Sequence, residues 1–250
     1  MSCGGMRVRG YVAEIFSSFQ GEGLLVGRRQ IFVRLAGCNL RCNYCDTPYA
    51  RSPLDGEEMS VEQVVGAALS LLTLDVHGVT FTGGEPLLQA EFVSQVAKSL
   101  RAKLPTVKFL LETNGSIPSK MKLLAPLMDY VALDIKLPSH KAIESERYDE
   151  LLERELESLE VALNAGSHAF VKIVVASDTP RDELEHAFHK LHEKFGNLVP
   201  LVLQPVSPAP SLRGIKPPSF QRLCELAELA SSWFYHVWAI PQVHKLAGWR

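Results

Sequence analysis

Three cysteines stand close together in the stretch Gly37-Cys38-Asn39-Leu40-Arg41-Cys42-Asn43-Tyr44-Cys45-Asp46-Thr47. The Cys-x3-Cys-x2-Cys spacing lets one short loop turn all three sulfurs towards a common point, which is metal-ligand chemistry. A structural zinc site or an ordinary ferredoxin cluster wants four protein ligands. No fourth Cys or His lies within several residues on either side, so one coordination position is left open, as catalytic metal sites keep it. The competing reading is a zinc knuckle or three unrelated thiols, because cysteine is commonly buried for its own sake.

The elements that must position this loop are legible as alternation. Tyr11–Phe19 and Gln30–Leu35 read as strands, joined through the turn Gln20-Gly21-Glu22-Gly23, whose glycines permit close backbone approach to a ligand. Ser60-Val61-Glu62-Gln63 has the form of a capping box and predicts a helix to about Leu72. Beyond it, short apolar or β-branched runs at Gly78–Thr82, Val107–Glu112, Tyr130–Asp134, Phe170–Val175, Val199–Gln204 and Tyr235–Ile240 predict strands. Helical stretches over Leu88–Leu100, Ser119–Leu127, Tyr148–Asn164, Pro180–Phe195 and Ser219–Trp233 separate them. Strict alternation implies βαβ units on a parallel sheet. In such folds ligands bind beyond the carboxyl ends of the strands. Here those ends are polar: Arg34 with the cysteine loop, Thr82-Gly83-Gly84-Glu85-Pro86, Glu112-Thr113-Asn114-Gly115, Asp134-Ile135-Lys136, Ser177-Asp178, Gln204-Pro205, and Gln242 with His244-Lys245. Together they describe one polar face above an apolar barrel.

Composition sets the outer bounds. The 250 residues are 46% hydrophobic and 22% charged, ordinary for a soluble globular chain read here as a single core domain, 1–250, with 1–10 as a flexible tail. No apolar segment resembles a secretion signal, and the longest near-apolar run, Val64–Leu74, is about half a membrane span. A cytoplasmic location and no membrane partner are the expectation, and clustered reduced thiols fit that compartment. A net charge of −2 without a basic stripe argues against nucleic-acid binding.

The cysteine loop resembles the cluster loop of the radical S-adenosylmethionine (SAM) enzymes, and Gly83-Gly84-Glu85-Pro86 resembles their SAM-binding turn. Phe19-Gln20-Gly21-Glu22-Gly23, Phe32-Val33-Arg34-Leu35-Ala36-Gly37-Cys38, Tyr44-Cys45-Asp46-Thr47, Glu112-Thr113-Asn114-Gly115, Asp134-Ile135-Lys136 and Gln242-Val243-His244-Lys245 together resemble the 7-carboxy-7-deazaguanine synthases, from about Phe19 to Lys245. The resemblance implies a partial TIM-type (β/α)6 radical SAM barrel with an extra N-terminal and an extra C-terminal strand. It also implies a lyase of queuosine biosynthesis that converts 6-carboxy-5,6,7,8-tetrahydropterin to 7-carboxy-7-deazaguanine with loss of ammonia. SAM there is a regenerated source of the 5'-deoxyadenosyl radical. A four-iron four-sulfur cluster, SAM and Mg2+ are the implied cofactors. The implied partners are the pterin substrate, an electron donor such as a flavodoxin or ferredoxin, and a second copy in a homodimer.

Carried over residue by residue, the resemblance assigns Cys38, Cys42 and Cys45 to the cluster and Thr47 to magnesium. It places Tyr44, Cys45, Asp46, Gly84, Glu85, Glu112, Asn114, Asp134, Lys136 and Gln204 beside SAM. Phe19, Gln20, Gly21, Glu22, Arg34, Thr82, His244 and the final residue Arg250 fall on the substrate side, with Arg34 offering a fork suited to a carboxylate. No side chain is assigned as a catalytic acid or base. Two alternatives compete: a glycyl-radical enzyme activase, whose cluster loop usually continues His-Asn-Pro where this chain has Asp46-Thr47-Pro48, and a non-catalytic zinc or iron-sulfur binding protein. His186, His189 and His192 step round a helix and read as a solvated face; Cys3 and Cys224 are not proposed as ligands.

Overall fold

The computed structural model describes residues 8–208 and 214–249. Its strands are β1 (Arg9–Phe19), β2 (Arg29–Leu35), β3 (Glu57–Ser60), β4 (Gly78–Gly83), β5 (Lys108–Thr113), β6 (Tyr130–Asp134), β7 (His168–Val175), β8 (Leu201–Pro205) and β9 (Val237–Ala239). The helices are α1 (Val61–Ser70), α2 (Ala90–Lys103), α3 (Pro118–Leu124), α4 (Tyr148–Asn164), α5 (Arg181–Phe195), α6 (Phe220–Ser231) and α7 (Val243–Ala247). All strands join one sheet in the order β3-β1-β2-β4-β5-β6-β7-β8-β9. From β2 onward neighbours are parallel, whereas β1 is antiparallel to both β2 and β3. The sheet does not close, since β3 and β9 remain as edges. This is the expected partial barrel with added strands at its ends, β9 at one and β1 with β3 at the other.

Alternation along the strands sorts the side chains into two cores. Phe109, Leu111, Val131, Leu133, Val171, Ile173, Leu201 and Leu203 face the helix layer and join its main cluster. Leu110, Ala132, Phe170 and Val202 form a separate apolar cluster with Leu25 on the opposite face. Two residues further along each of those strands come Glu112, Asp134, Lys172 and Gln204, one pleat up on the same face. The apolar layer is therefore a floor, and Glu112, Asp134 and Lys172 in the polar layer above it face a cavity.

Four features differ from the sequence reading. The tail expected over 1–10 lies outside the described residues as far as 7, but Arg9 and Gly10 already belong to β1. Strand β3 was not predicted: its sequence Glu-Glu-Met-Ser carries no strand signal, and it is recruited by pairing with β1 from Arg9↔Ser60 to Val12↔Glu57. The five residues of α7 are too few to show a helical period. Pro180 caps α5 with extended backbone at ψ 138° instead of lying inside its first turn.

Candidate active site

The cysteine loop is fixed from outside, by its backbone. Gly37 N donates to Ala50 O at 2.9 Å, Cys38 N to Arg51 O at 2.9 Å, Arg41 N to Ala142 O at 3.0 Å and Asn43 N to His140 O at 2.9 Å. Arg51 Nη2 closes the underside on Cys42 O at 2.6 Å. With the amides held in this way, Cys38, Cys42 and Cys45 all line one cavity of about 360 Å3, and none is in a disulfide. Burial pushes the Cys38 thiol up to about 11 and also raises Cys42. Both stay protonated unless a metal displaces the proton.

The sulfur spacing speaks to the kind of metal. Among the described residues, Glu22, Asp46 and His244 form the set of His, Cys, Asp or Glu ligand atoms lying within 4.8 Å of one another, and the three sulfurs do not form such a set. A single zinc at about 2.3 Å from each thiolate would draw them inside that span. A multi-iron cluster bridges a wider triangle, which thiols set further apart can accommodate.

The end of β4 packs against the loop, Glu85 N donating to Gly37 O at 2.7 Å. A Cβ on Gly84 would collide with the carbonyl of Gly37, and Gly83 has φ 121°, so this turn requires glycine twice. Glu85 is buried and its carboxylate is fully engaged, accepting from Leu87 N at 2.9 Å, Thr113 Oγ1 at 2.6 Å and Asn114 N at 2.8 Å. It braces the ends of β4 and β5. Asn114 continues the brace to the cysteine loop, donating to Asn39 Oδ1 at 3.2 Å.

A ring of polar side chains surrounds the cavity. Lys136 Nζ donates to Tyr44 OH at 3.0 Å and to Asp134 Oδ2 at 3.3 Å. Lys172 Nζ bridges Asp134 Oδ1, at 3.3 Å, and Glu22 Oε2. Gln242 Nε2 then donates to Glu22 Oε1 at 2.7 Å and Asp46 Oδ2 at 2.8 Å, and Lys245 also bonds Asp46. The path leaves the cysteine loop at Tyr44 and returns to it at Asp46. Burial opposes ionisation of Glu22, but the Lys172 ammonium and the Gln242 hydrogen bond overcome it and hold that carboxyl below its ordinary range. Burial likewise opposes charge on Lys136 and Lys172, yet Asp134 and the neighbouring groups keep both protonated. Glu112 moves the other way, raised by burial and by Glu22.

The turn at 20–23 supplies the remaining wall. Gln20 donates to Gln30 at 3.2 Å and Glu112 at 3.0 Å and accepts from Glu22 N at 3.1 Å, so its carboxamide braces the turn. A Cβ on Gly21 would strike the His244 imidazole, and Val243 N donates to Gly21 O at 2.9 Å. The α7 segment thus lies across the turn, with Trp249 against Phe19 at 5.3 Å between ring centroids.

Of the residues selected from the sequence, Phe19, Gln20, Gly21, Glu22, Arg34, the three cysteines, Tyr44, Asp46, Thr47, Thr82, Gly84, Glu85, Glu112, Asn114, Asp134, Lys136 and His244 all line this cavity. Gln204 does not, although it is buried and its Oε1 has no hydrogen-bond partner among the described residues. Arg250 lies outside the described residues. Sequence reasoning missed Glu14, Tyr49 and Lys172, which line the same cavity. Lys172 carried a signal, since a lysine inside the run Phe-Val-Lys-Ile-Val-Val must be paired if the strand is buried. The helical histidines do not converge: His186 bonds Asp149, while His189 and His192 pack on Trp233.

Residues 32–191 match the radical SAM superfamily. The 7-carboxy-7-deazaguanine synthase of Methanothermobacter thermautotrophicus is 37% identical over 97% of this chain and 99% of its own length. That of Geobacter sulfurreducens is 37% identical over 94% and 96%. Among solved structures, QueE from Escherichia coli superposes with a TM-score of 0.60 at 20% identity, covering 94% of this chain and 95% of its own. The cluster-spaced thiols, the glycine turn against them and a likeness that runs nearly end to end place the chain in the radical SAM superfamily and, within it, in the 7-carboxy-7-deazaguanine synthase family.

Proposed function

We propose that this chain acts as one core domain converting 6-carboxy-5,6,7,8-tetrahydropterin to 7-carboxy-7-deazaguanine, releasing ammonia, in queuosine biosynthesis. The observation that carries the reading is one cavity lined together by three free thiols, Arg34 and the glycine turn. Cys38, Cys42 and Cys45 would hold the four-iron cluster, and Tyr44, Gly84, Glu112, Asn114, Asp134 and Lys136 in the same cavity would bind SAM. When bound, these cofactors supply a 5'-deoxyadenosyl radical that takes a hydrogen from the substrate and returns it.

The chain's own residues bind, orient and exclude water. Because the Glu85 carboxylate is engaged, the backbone of the Gly83-Gly84-Glu85 turn is left to meet the SAM amino group. Lys136, Lys172 and Lys245 commit their ammonium groups to cavity carboxylates, whereas Arg34 bonds Glu14 through Nε alone among the described residues. Its Nη groups have no hydrogen-bond partner among the described residues, which makes Arg34 the cation available to a substrate carboxylate. Glu112, shifted towards its neutral form, and Thr82 offer hydrogen bonds to the pterin edge, and α7 with His244 covers it. Thr47 would hold Mg2+, a hard ion that takes oxygen ligands and keeps several waters. An electron donor of the flavodoxin or ferredoxin type and assembly as a homodimer complete the reading.

The test is an anaerobic assay of reconstituted protein with reductant, SAM, magnesium and the carboxypterin, read by mass spectrometry. Many carboxydeazaguanine molecules per 5'-deoxyadenosine support the proposal; SAM cleavage without that product discards the substrate. Thr47→Ala should weaken the magnesium dependence of turnover and leave iron content unchanged. An unaltered magnesium response removes Thr47 from the ion.

A further inference from the structure

The ladder between β1 and β2 is regular from Phe19↔Arg29 up to Glu14↔Arg34 and then shifts, resuming at Val12↔Leu35. Ala13 is the extra residue of a β-bulge. Its effect shows in the packing: Val12 and Ile15, three apart, both join the helix-side core, which an unbulged strand would not allow. Glu14 is thereby the last residue of β1, in the direction of Arg9, to face the cavity before the strand turns its side chains away. Bulges of this kind re-aim side chains beside active sites.

What the bulge leaves in the cavity is a pair. Arg34 Nε donates to Glu14 Oε1 at 2.7 Å, and Tyr49 OH donates to the same oxygen at 3.1 Å. The Arg34 Cζ lies 5.6 Å from the centre of the Phe16 ring, which stacks on Phe32 at 4.9 Å with 8° between planes. Glu14 and Arg34 side chains are 21% and 18% exposed. An unpaired guanidinium on a long stem samples many rotamers; here its Nε edge is anchored and one face is packed. The two Nη groups, without partners among the described residues, are left for a ligand.

We propose that Glu14 is a positioning residue that fixes the Arg34 guanidinium edge-on and so makes the cavity select a substrate bearing a carboxylate. The inference rests on the substrate class proposed above. Glu14 takes Nε, which leaves the end-on Nη1/Nη2 pair for two parallel hydrogen bonds to a planar carboxylate. Tyr49 holds the Glu14 oxygen in place and is the outer support.

The experiment is equilibrium binding to the reconstituted, SAM-loaded protein of two ligands, the carboxytetrahydropterin and tetrahydropterin lacking the carboxylate. It is combined with steady-state kinetics on Glu14→Ala, Glu14→Gln, Arg34→Ala and the Glu14→Ala/Arg34→Ala double variant. Glu14→Ala should weaken the carboxylated ligand roughly tenfold, raise KM more than it lowers kcat, and leave the ligand without the carboxylate unaffected. Glu14→Gln keeps an oxygen for Nε and for Tyr49 and should recover most of the loss. Glu14→Ala should add nothing once Arg34 is alanine. Equal weakening of both ligands, or losses that add in the double variant, would overturn the proposal, as would a Glu14→Ala protein that binds like the parent. If the parent chain binds the carboxypterin through the Glu14–Arg34 pair but makes no carboxydeazaguanine, the positioning stands and the reaction falls. If it does not bind the carboxypterin, both fall.

Discussion

Cys42 and His140 show how much single side chains here are governed by burial. Cys42 is raised by desolvation, so loading a metal on it must expel a proton, and its loss removes one of three anchors. Cys42→Ala should sharply lower iron and sulfide content after reconstitution and abolish SAM cleavage; normal iron with normal cleavage would refute the ligand set. His140 accepts from Leu137 N at 2.9 Å on Nδ1, which puts its proton on Nε2, 3.0 Å from Val174 O. It packs edge-on against Tyr44 at 4.6 Å. Burial and then Lys136 lower it from 6.5 to about 3. The folded value lies below the unfolded one, so its contribution is full above the unfolded value and fades as pH falls towards the folded one. Acidification to about pH 6 should therefore cost about 1 kcal/mol through this residue. Thermal unfolding between neutral pH and that point should be flatter in His140→Gln, and equal slopes would show that His140 does not control it. The sequence marked neither this role nor that of Glu14, because both depend on partners that only the fold brings near.

The elements divide by whether their signal was local. The α4 boundaries Tyr148–Asn164 and the β6 boundaries Tyr130–Asp134 were readable because an amphipathic period and a β-branched or apolar run are local properties. The capping box was equally readable: Gln63 N donates to Ser60 Oγ at 3.3 Å and Ser60 N to Gln63 Oε1 at 2.8 Å. Ser60→Ala should destabilise the protein by about 1 kcal/mol in denaturant unfolding, with kinetic constants unchanged; no shift in midpoint would show that β3 alone holds this junction. Strand β3, helix α7 and the bulge at Ala13 were not legible, since each exists through a partner distant in the chain. The polar ends of the strands were readable as a set, but not the depth at which Lys172 sits among carboxylates.

At the scale of the molecule, the cavity is a ring closed by one residue from the far end of the chain. Gln242 gives both amide hydrogens to carboxylates, one on the turn after β1 and one on the cysteine loop. Gln242→Ala should loosen α7 and raise the substrate KM on the order of tenfold. It should also increase the deoxyadenosine formed per product, measured by mass spectrometry; an unchanged ratio would mean that α7 does not seal the reaction from water. Glu22 and Gln242 are 220 positions apart, so the rim is among the most non-local contacts of the fold. Closing it brings together nearly the two ends of the chain, a loop-closure cost that the neighbour-to-neighbour strand pairings beneath it do not carry.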